Sequence, residues 1–141
     1  MPDNAIHDFG PTVYAFLQRR GFTELRRWED PNAGVAIDYT NKDLCIRLTF
    51  DHYGEQVTLA PRKAIEDRYD TQAVFLYLGL HDADAEVTAA EVFDRVDANY
   101  AEIARIFSGR DGRWRSFVKF IEDEMRKRFH YDRITKRPRK Q

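Results

Sequence analysis

Two stretches of the chain alternate apolar residues with smaller or more polar ones, which is the pattern of β-strands that bury one face. Apolar residues stand at positions 35, 37 and 39, and again at 44, 46, 48 and 50. A third run, which ends before Pro61, carries Val57 and Leu59 two residues apart. The pattern predicts an antiparallel meander of three strands, and residues 22–28 are a candidate for a fourth.

The loops of this meander predict its register. A four-residue loop at 40–43 would place Ile37 opposite Ile46, and a second reversal at 52–55 would place Leu48 opposite Leu59. Both choices leave the apolar side chains on one face. We therefore expect that face to be buried and the other face of the sheet to be open.

Two short helices flank the meander. Pro11 in a first turn and Gly21 as a stop predict an N-terminal helix at 11–20. Asp70 can cap a second helix, at 71–78, because its side chain can accept a backbone N–H of the first turn.

The C-terminal third has the apolar spacing of two longer helices. A capping box at 88–91 begins an amphipathic helix that continues to residue 107, and glycines at 109 and 112 separate it from a final helix. Because the linker is short, the two helices should form an antiparallel hairpin. The residues expected to cover the sheet are Val92, Phe93, Val96, Tyr100 and Ile103.

This order of elements predicts an α+β fold with helices packed on one face of a single antiparallel sheet. The chain has 141 residues, the usual length of one domain. We expect the domain to span residues 1–132 and residues 133–141 to form a basic C-terminal tail.

Charge is balanced in total but not along the chain. There are 23 Lys and Arg against 24 Asp and Glu. Residues 126–141 hold eight of the bases and one acid, whereas residues 64–102 hold ten acids and two bases. Such asymmetry concerns partners rather than fold, and the acidic segment would suit a basic partner.

The sequence has no motif that predicts a catalytic, metal-binding or cofactor-binding residue. The four histidines lie in separate segments, and Cys45 is the single cysteine. Residues 81–86 alternate possible metal ligands, but Val87 stands where a calcium loop requires glycine. No apolar run approaches the roughly 20 residues of a membrane span, so we expect a cytoplasmic protein that does not enter a membrane.

Two surfaces are candidates for binding. One is the acidic side of the long helix and of the loop before it, with Asp82, Asp84, Glu91, Asp94, Asp97 and Glu102. The other is the open sheet face, with Asp38, Arg47 and Asp51. That face could bind a small anion, form cross-strand ion pairs or carry the site of an enzyme.

A family resemblance covers residues 13–80. It is carried by a helix with Phe16-Leu17 and a following Gly21-Phe22, by the strands at 35–39 and 44–48, and by an apolar helix after them. This pattern resembles small cytosolic α+β proteins of bacterial toxin-immunity and associated families. The resemblance implies a non-catalytic protein that binds and neutralises one toxin, often a basic nuclease, through an acidic surface.

Nucleic acid is the alternative partner. Residues 109–112 match the G-x-x-G loop that KH domains place between two helices, and Arg110, Arg113 and Arg115 lie in or beside it. The basic tail offers further phosphate contacts. KH domains pack strands around that helix pair, however, and no strand is predicted after it. The oligomeric state is left open.

Overall fold

The structure, a computed structural model, describes residues 9–31, 34–52, 54–80 and 89–136, and their side chains as far as residue 127 except at position 110. The helices are α1 (Pro11–Arg19), α2 (Thr71–Tyr77), α3 (Ala89–Ala98), α4 (Tyr100–Ser108) and α5 (Arg113–Lys136). The strands are β1 (Thr23–Asp30), β2 (Gly34–Thr40), β3 (Leu44–Asp51), β4 (Gly54–Pro61) and β5 (Tyr69–Asp70). The predicted α+β fold is confirmed.

The five strands form one antiparallel sheet in the order β1-β2-β3-β4-β5. The candidate strand near residues 22–28 is β1, and the two-residue β5 adds a fifth strand that the pattern did not predict. Asp70 caps α2 as expected, since its side chain accepts the backbone N–H of Gln72.

The register of the meander was predicted wrongly by two residues. Ile37 lies opposite Leu48, and Leu48 lies opposite Val57. The first turn comes one residue later than predicted because the Asn41 side chain closes it, accepting the backbone N–H of Leu44 at 3.1 Å. The second turn comes one residue earlier than predicted because Gly54 already pairs with Asp51, the last residue of β3. A shift of two residues keeps each side chain on its face, so the predicted apolar face is still the buried one.

The long helix predicted from residue 88 to 107 is two helices. Asn99 lies between α3 and α4 with φ −119° and ψ 23°, and its side-chain Nδ2 donates to the carbonyl of Arg95 at 2.9 Å. Asparagine competes with the helix for backbone groups in this way, which accounts for the break. The predicted capping residue, Thr88, lies outside the described residues.

The helices cover the apolar face of the sheet. Phe16 of α1 lies at the centre of this layer, with its ring centroid 5.1 Å from that of Phe93 and 6.1 Å from that of Tyr100. The five side chains predicted to cover the sheet are at most 9% exposed, which confirms that part of the core.

The last helix, α5, packs through its N-terminal half. Phe117 is fully buried against Phe107, Tyr69 and Tyr77. The helical backbone continues to Lys136, beyond the domain boundary expected after residue 132. Within the described ranges, no helix combines the length and the apolar character that crossing a membrane requires.

Candidate functional site on the open sheet face

Asp38 lies in the middle of the open face of the sheet. The strand register places Arg26 of β1 and Arg47 of β3 on either side of it, in one row across three strands. Glu66 and Arg68 reach the same row from the segment that joins β4 to β5. We call these five residues the Asp38 cluster.

Three guanidinium groups surround the Asp38 carboxylate, whose side chain is fully buried. Arg47 donates two hydrogen bonds to the carboxylate, from Nε to Oδ1 at 2.7 Å and from Nη2 to Oδ2 at 3.1 Å. Arg26 donates Nε to Oδ2 at 3.1 Å, and Arg68 donates Nη2 to Oδ1 at 3.5 Å. Both carboxylate oxygens are therefore occupied by charged donors, which is the strong form of hydrogen bond.

Arg68 is the deepest of the three arginines, with its side chain 12% exposed against 40% for Arg26. Its Nη1 donates to Thr58 Oγ1 at 3.3 Å, and its Nη2 lies 3.9 Å from Cys45 Sγ. Its Nε is buried and has no hydrogen-bond partner among the described residues. The Arg68 guanidinium group therefore has more N–H donors than its surroundings have acceptors for them.

The ionisation states follow from these contacts. Burial alone would raise the pKa of Asp38, but hydrogen bonds from Arg47 and Arg26 outweigh burial and hold that pKa below its ordinary value. Burial raises the pKa of the Cys45 thiol, and the nearby charge of Asp38 raises it further. At neutral pH the carboxyl is thus ionised and the thiol protonated.

This arrangement is suited to recognising charge. An ionised carboxylate whose oxygens are both engaged is a poor general base, because accepting a proton would break its ion pairs. A buried, protonated thiol is a poor nucleophile. The guanidinium groups at the surface, in contrast, retain N–H groups that can bind a further anion.

Trp28 extends the site towards β1. Its side chain is 41% exposed, and the guanidinium carbons of Arg26 and Arg47 lie 4.5 and 4.6 Å from its ring centroid. Leu25, at the irregularity in β1 pairing, is 50% exposed. An exposed tryptophan is thus held in place by two arginines that Asp38 holds in turn.

The structure brings together two of the three predicted residues of this face. Asp38 and Arg47 are direct cross-strand partners. Asp51 lies at the far end of β3, opposite Gly54, about 13 Å along the strand from Arg47 at the usual rise per residue.

Sequence reasoning missed Arg26, Trp28, Glu66 and Arg68. Alternation along β1 carries a signal for the first two, since Arg26 and Trp28 are two residues apart and so share a face. Glu66 and Arg68 lie in a segment with no strand or helix periodicity, and only the folded structure places them on the sheet.

The acidic residues of the predicted helix surface are spread over different environments. Glu91 and Asp94 are exposed on α3, beside a groove of about 700 Å³ that Leu80 and Asn99 also line. Asp97 pairs with Arg19 at 2.8 Å and with Arg20 at 2.9 Å.

Glu102, on α4, is also paired, with Arg113 at 3.0 Å and with Arg105 at 3.6 Å. Asp82 and Asp84 lie outside the described residues. Of the four acids of this surface that the structure describes, arginines therefore neutralise Asp97 and Glu102.

The G-x-x-G loop of the nucleic-acid alternative does lie between two helices, α4 and α5. Arg115 is exposed beside it, whereas Arg113 is engaged by Glu102. Residues 137–141 of the basic tail lie outside the described residues.

Neither a protein-family model nor a curated protein nor a solved structure matches this chain. Across the described part of the chain, no group of three or more His, Cys, Asp or Glu side chains is placed to hold a metal ion.

Proposed function

We propose that this chain is a non-catalytic protein-binding domain, an inhibitor of the immunity type that its sequence resembles, with a bacterial toxin as its partner. The observation that carries the proposal is the exposed Trp28, held by Arg26 and Arg47 on the open face of the sheet. Tryptophan and arginine, together with tyrosine, are enriched among the residues that dominate binding at protein interfaces.

We call Trp28 with Arg26 and Arg47 the Trp28 surface. Its side chains hold one another in place, which favours tight binding. Binding costs free energy when side chains must be ordered, and a ring already stacked on two guanidinium groups has less freedom to lose. Arg47 is itself fixed by two hydrogen bonds to the buried Asp38. The surface is therefore preorganised.

The ionisation states of Asp38 and Cys45 on the open sheet face support a role without catalysis. Asp38 is committed to ion pairs, and the pKa of Cys45 is raised by burial. Both groups serve the architecture of the face better than they would serve proton transfer or nucleophilic attack.

The acidic side of α3 is the second candidate contact surface. Glu91 and Asp94 would attract a basic partner and accelerate association. We favour the Trp28 surface because arginines already neutralise Asp97 and Glu102, two of the acids on which the acidic surface depends.

Capture of a partner tests the proposal with Trp28→Ala and a matched control, Tyr14→Ala. Tyr14, on α1, is an aromatic residue of similar exposure, 39% against 41%. The tagged chain should retain one stoichiometric protein from its native cells. With that protein purified, Trp28→Ala should weaken the equilibrium affinity roughly 30-fold, about 2 kcal/mol, while Tyr14→Ala leaves it unchanged.

The acidic surface makes a separate kinetic prediction. If it forms the contact, Glu91→Lys with Asp94→Lys should slow association with the same purified protein about tenfold at low salt, and less at high salt. Unchanged affinity in Trp28→Ala together with slowed association here would move the interface to α3. Retention of bulk nucleic acid in place of one protein would overturn the proposed function.

A further inference from the structure

We propose that the Asp38 cluster is an oxyanion-binding site, and that Glu66 occupies it in the unbound chain. The ligand would be a carboxylate or phosphate group bound between Arg26 and Arg47 beside the Trp28 ring. This site stands independently of whether Trp28 contacts a protein.

The first argument is charge. The cluster holds three guanidinium groups against two carboxylates, and of those carboxylates only Asp38 is buried. Without Glu66, three cations would share one carboxylate. Such a concentration of positive charge at a partly buried position favours an anion from outside.

The second argument is the position of Glu66. Its Oε2 lies 2.6 Å from Arg26 Nη2 and 3.6 Å from Arg47 Nη2, so one carboxylate oxygen already contacts both arginines. Its side chain is nevertheless 67% exposed, in contrast to the fully buried Asp38. Glu66 therefore marks where an oxyanion binds, and it lies where a competing anion can replace it.

The third argument is the surplus of donors. Glu66 approaches Arg26 and Arg47 most closely through one and the same oxygen, Oε2. An oxyanion that presents several oxygens can take two guanidinium groups at once, as arginine forks commonly do with carboxylate and phosphate. Such a ligand would satisfy more of these N–H groups than Glu66 does.

The Glu66 side chain can leave Arg26 and Arg47 without unfolding the sheet. Glu66 projects from a turn closed by the backbone N–H of Asp67 donating to the carbonyl of Ala64 at 2.9 Å. The turn needs no contact from the Glu66 side chain. A change of side-chain rotamer is enough to release the carboxylate.

Titration of the full chain with sodium phosphate at constant ionic strength tests the inference. Glu66→Gln removes the competing carboxylate and should tighten the phosphate Kd about tenfold. The control is Glu29→Gln, which removes another exposed glutamate, 47% against 67% for Glu66, that pairs with Arg27 outside the cluster; it should leave the Kd unchanged. In the double variant Glu66→Gln, Arg26→Gln the gain should disappear.

Arginine side-chain resonances locate the bound ion. The Nε–H signals of Arg26 and Arg47 should move on addition of phosphate, while that of Arg105, an exposed arginine elsewhere, stays in place. Acetate competing with phosphate would support a carboxylate ligand such as an acidic protein side chain. Binding of phosphate alone would support a phosphate compound.

Three outcomes would overturn the inference. These are equal phosphate affinities of the Glu66→Gln and Glu29→Gln variants, a gain that survives the Arg26 substitution, and resonance shifts as large at Arg105 as at Arg26. Because Glu66 is exposed, the variant should remain folded, which circular dichroism checks directly.

Discussion

Replacing Asp38 by Asn is expected to lower the free energy of unfolding by about 3–5 kcal/mol, because it leaves Arg47 and Arg68, whose side chains are only 19% and 12% exposed, without their counter-charge. Arg47 could keep a hydrogen bond to only one side-chain oxygen, which would be uncharged, and Arg68, the deepest arginine, would lose its carboxylate partner. Asparagine keeps the shape of the side chain but presents an NH₂ group where two donors already point. Chemical denaturation of both chains at neutral pH measures the difference.

The pH dependence of that difference identifies the ionised carboxylate as its cause. The pKa of Asp38 is lower in the folded chain than in the unfolded one, where an aspartate titrates near pH 3.9. Its stabilising effect is therefore complete above that value and is lost as the pH falls towards the folded pKa. The advantage of the native chain over Asp38→Asn should be constant above about pH 5 and shrink below about pH 4.

Asp94→Asn is the matched control, since Asp94 is exposed on α3. It should change stability by less than about 0.5 kcal/mol at neutral pH, as is usual for surface substitutions. A loss below 1 kcal/mol in Asp38→Asn would instead mean that water screens the cluster as it screens a surface ion pair.

The buried face of the sheet was predictable because it depends only on which alternate positions of each strand are apolar. Side chains alternate along a strand, so a register error of two residues still puts Ile37, Ile46 and Leu48 on the same face. The register itself depends on the turns. Asn41 closes the first turn through its side chain, and the spacing of apolar residues carries no information about that contact.

The break between α3 and α4 escaped prediction for a related reason. The apolar stripe runs from Val96 to Tyr100 and Ile103 without a change of spacing, so the helical periodicity continues across Asn99. The one local signal was the asparagine itself, whose side chain can bind the backbone of the preceding turn.

The candidate site was predictable only where it lies on regular strands. Asp38 and Arg47 share a face by alternation, and they prove to be direct partners. Arg68 and Glu66 come from an irregular segment, and their arrival on the sheet depends on how β4 connects to β5. The alternation of residues along a strand does not encode such long-range placements. It does apply to Arg26, Asp38 and Arg47, the three charged residues of the cluster that lie on strands.

The second large effect is expected from Ile46→Ala, which should lower the free energy of unfolding by about 2–5 kcal/mol. Ile46 is fully buried, lies opposite Tyr39 and Leu59 on the two neighbouring strands, and belongs to the layer that the helices cover. Removing its outer carbons takes away apolar burial and leaves a cavity that the surrounding strands and helices can close only in part.

Leu25→Ala provides the control for this loss, because it removes a similar number of carbons from a residue that is also in a strand but 50% exposed. Its cost should be much smaller, within about 1 kcal/mol, since little of the lost surface was removed from water. Denaturation midpoints of the two variants, with equal slopes, give the comparison directly. Equal losses would mean that strand propensity rather than burial determines the effect, and the covered face would then have to be reassigned.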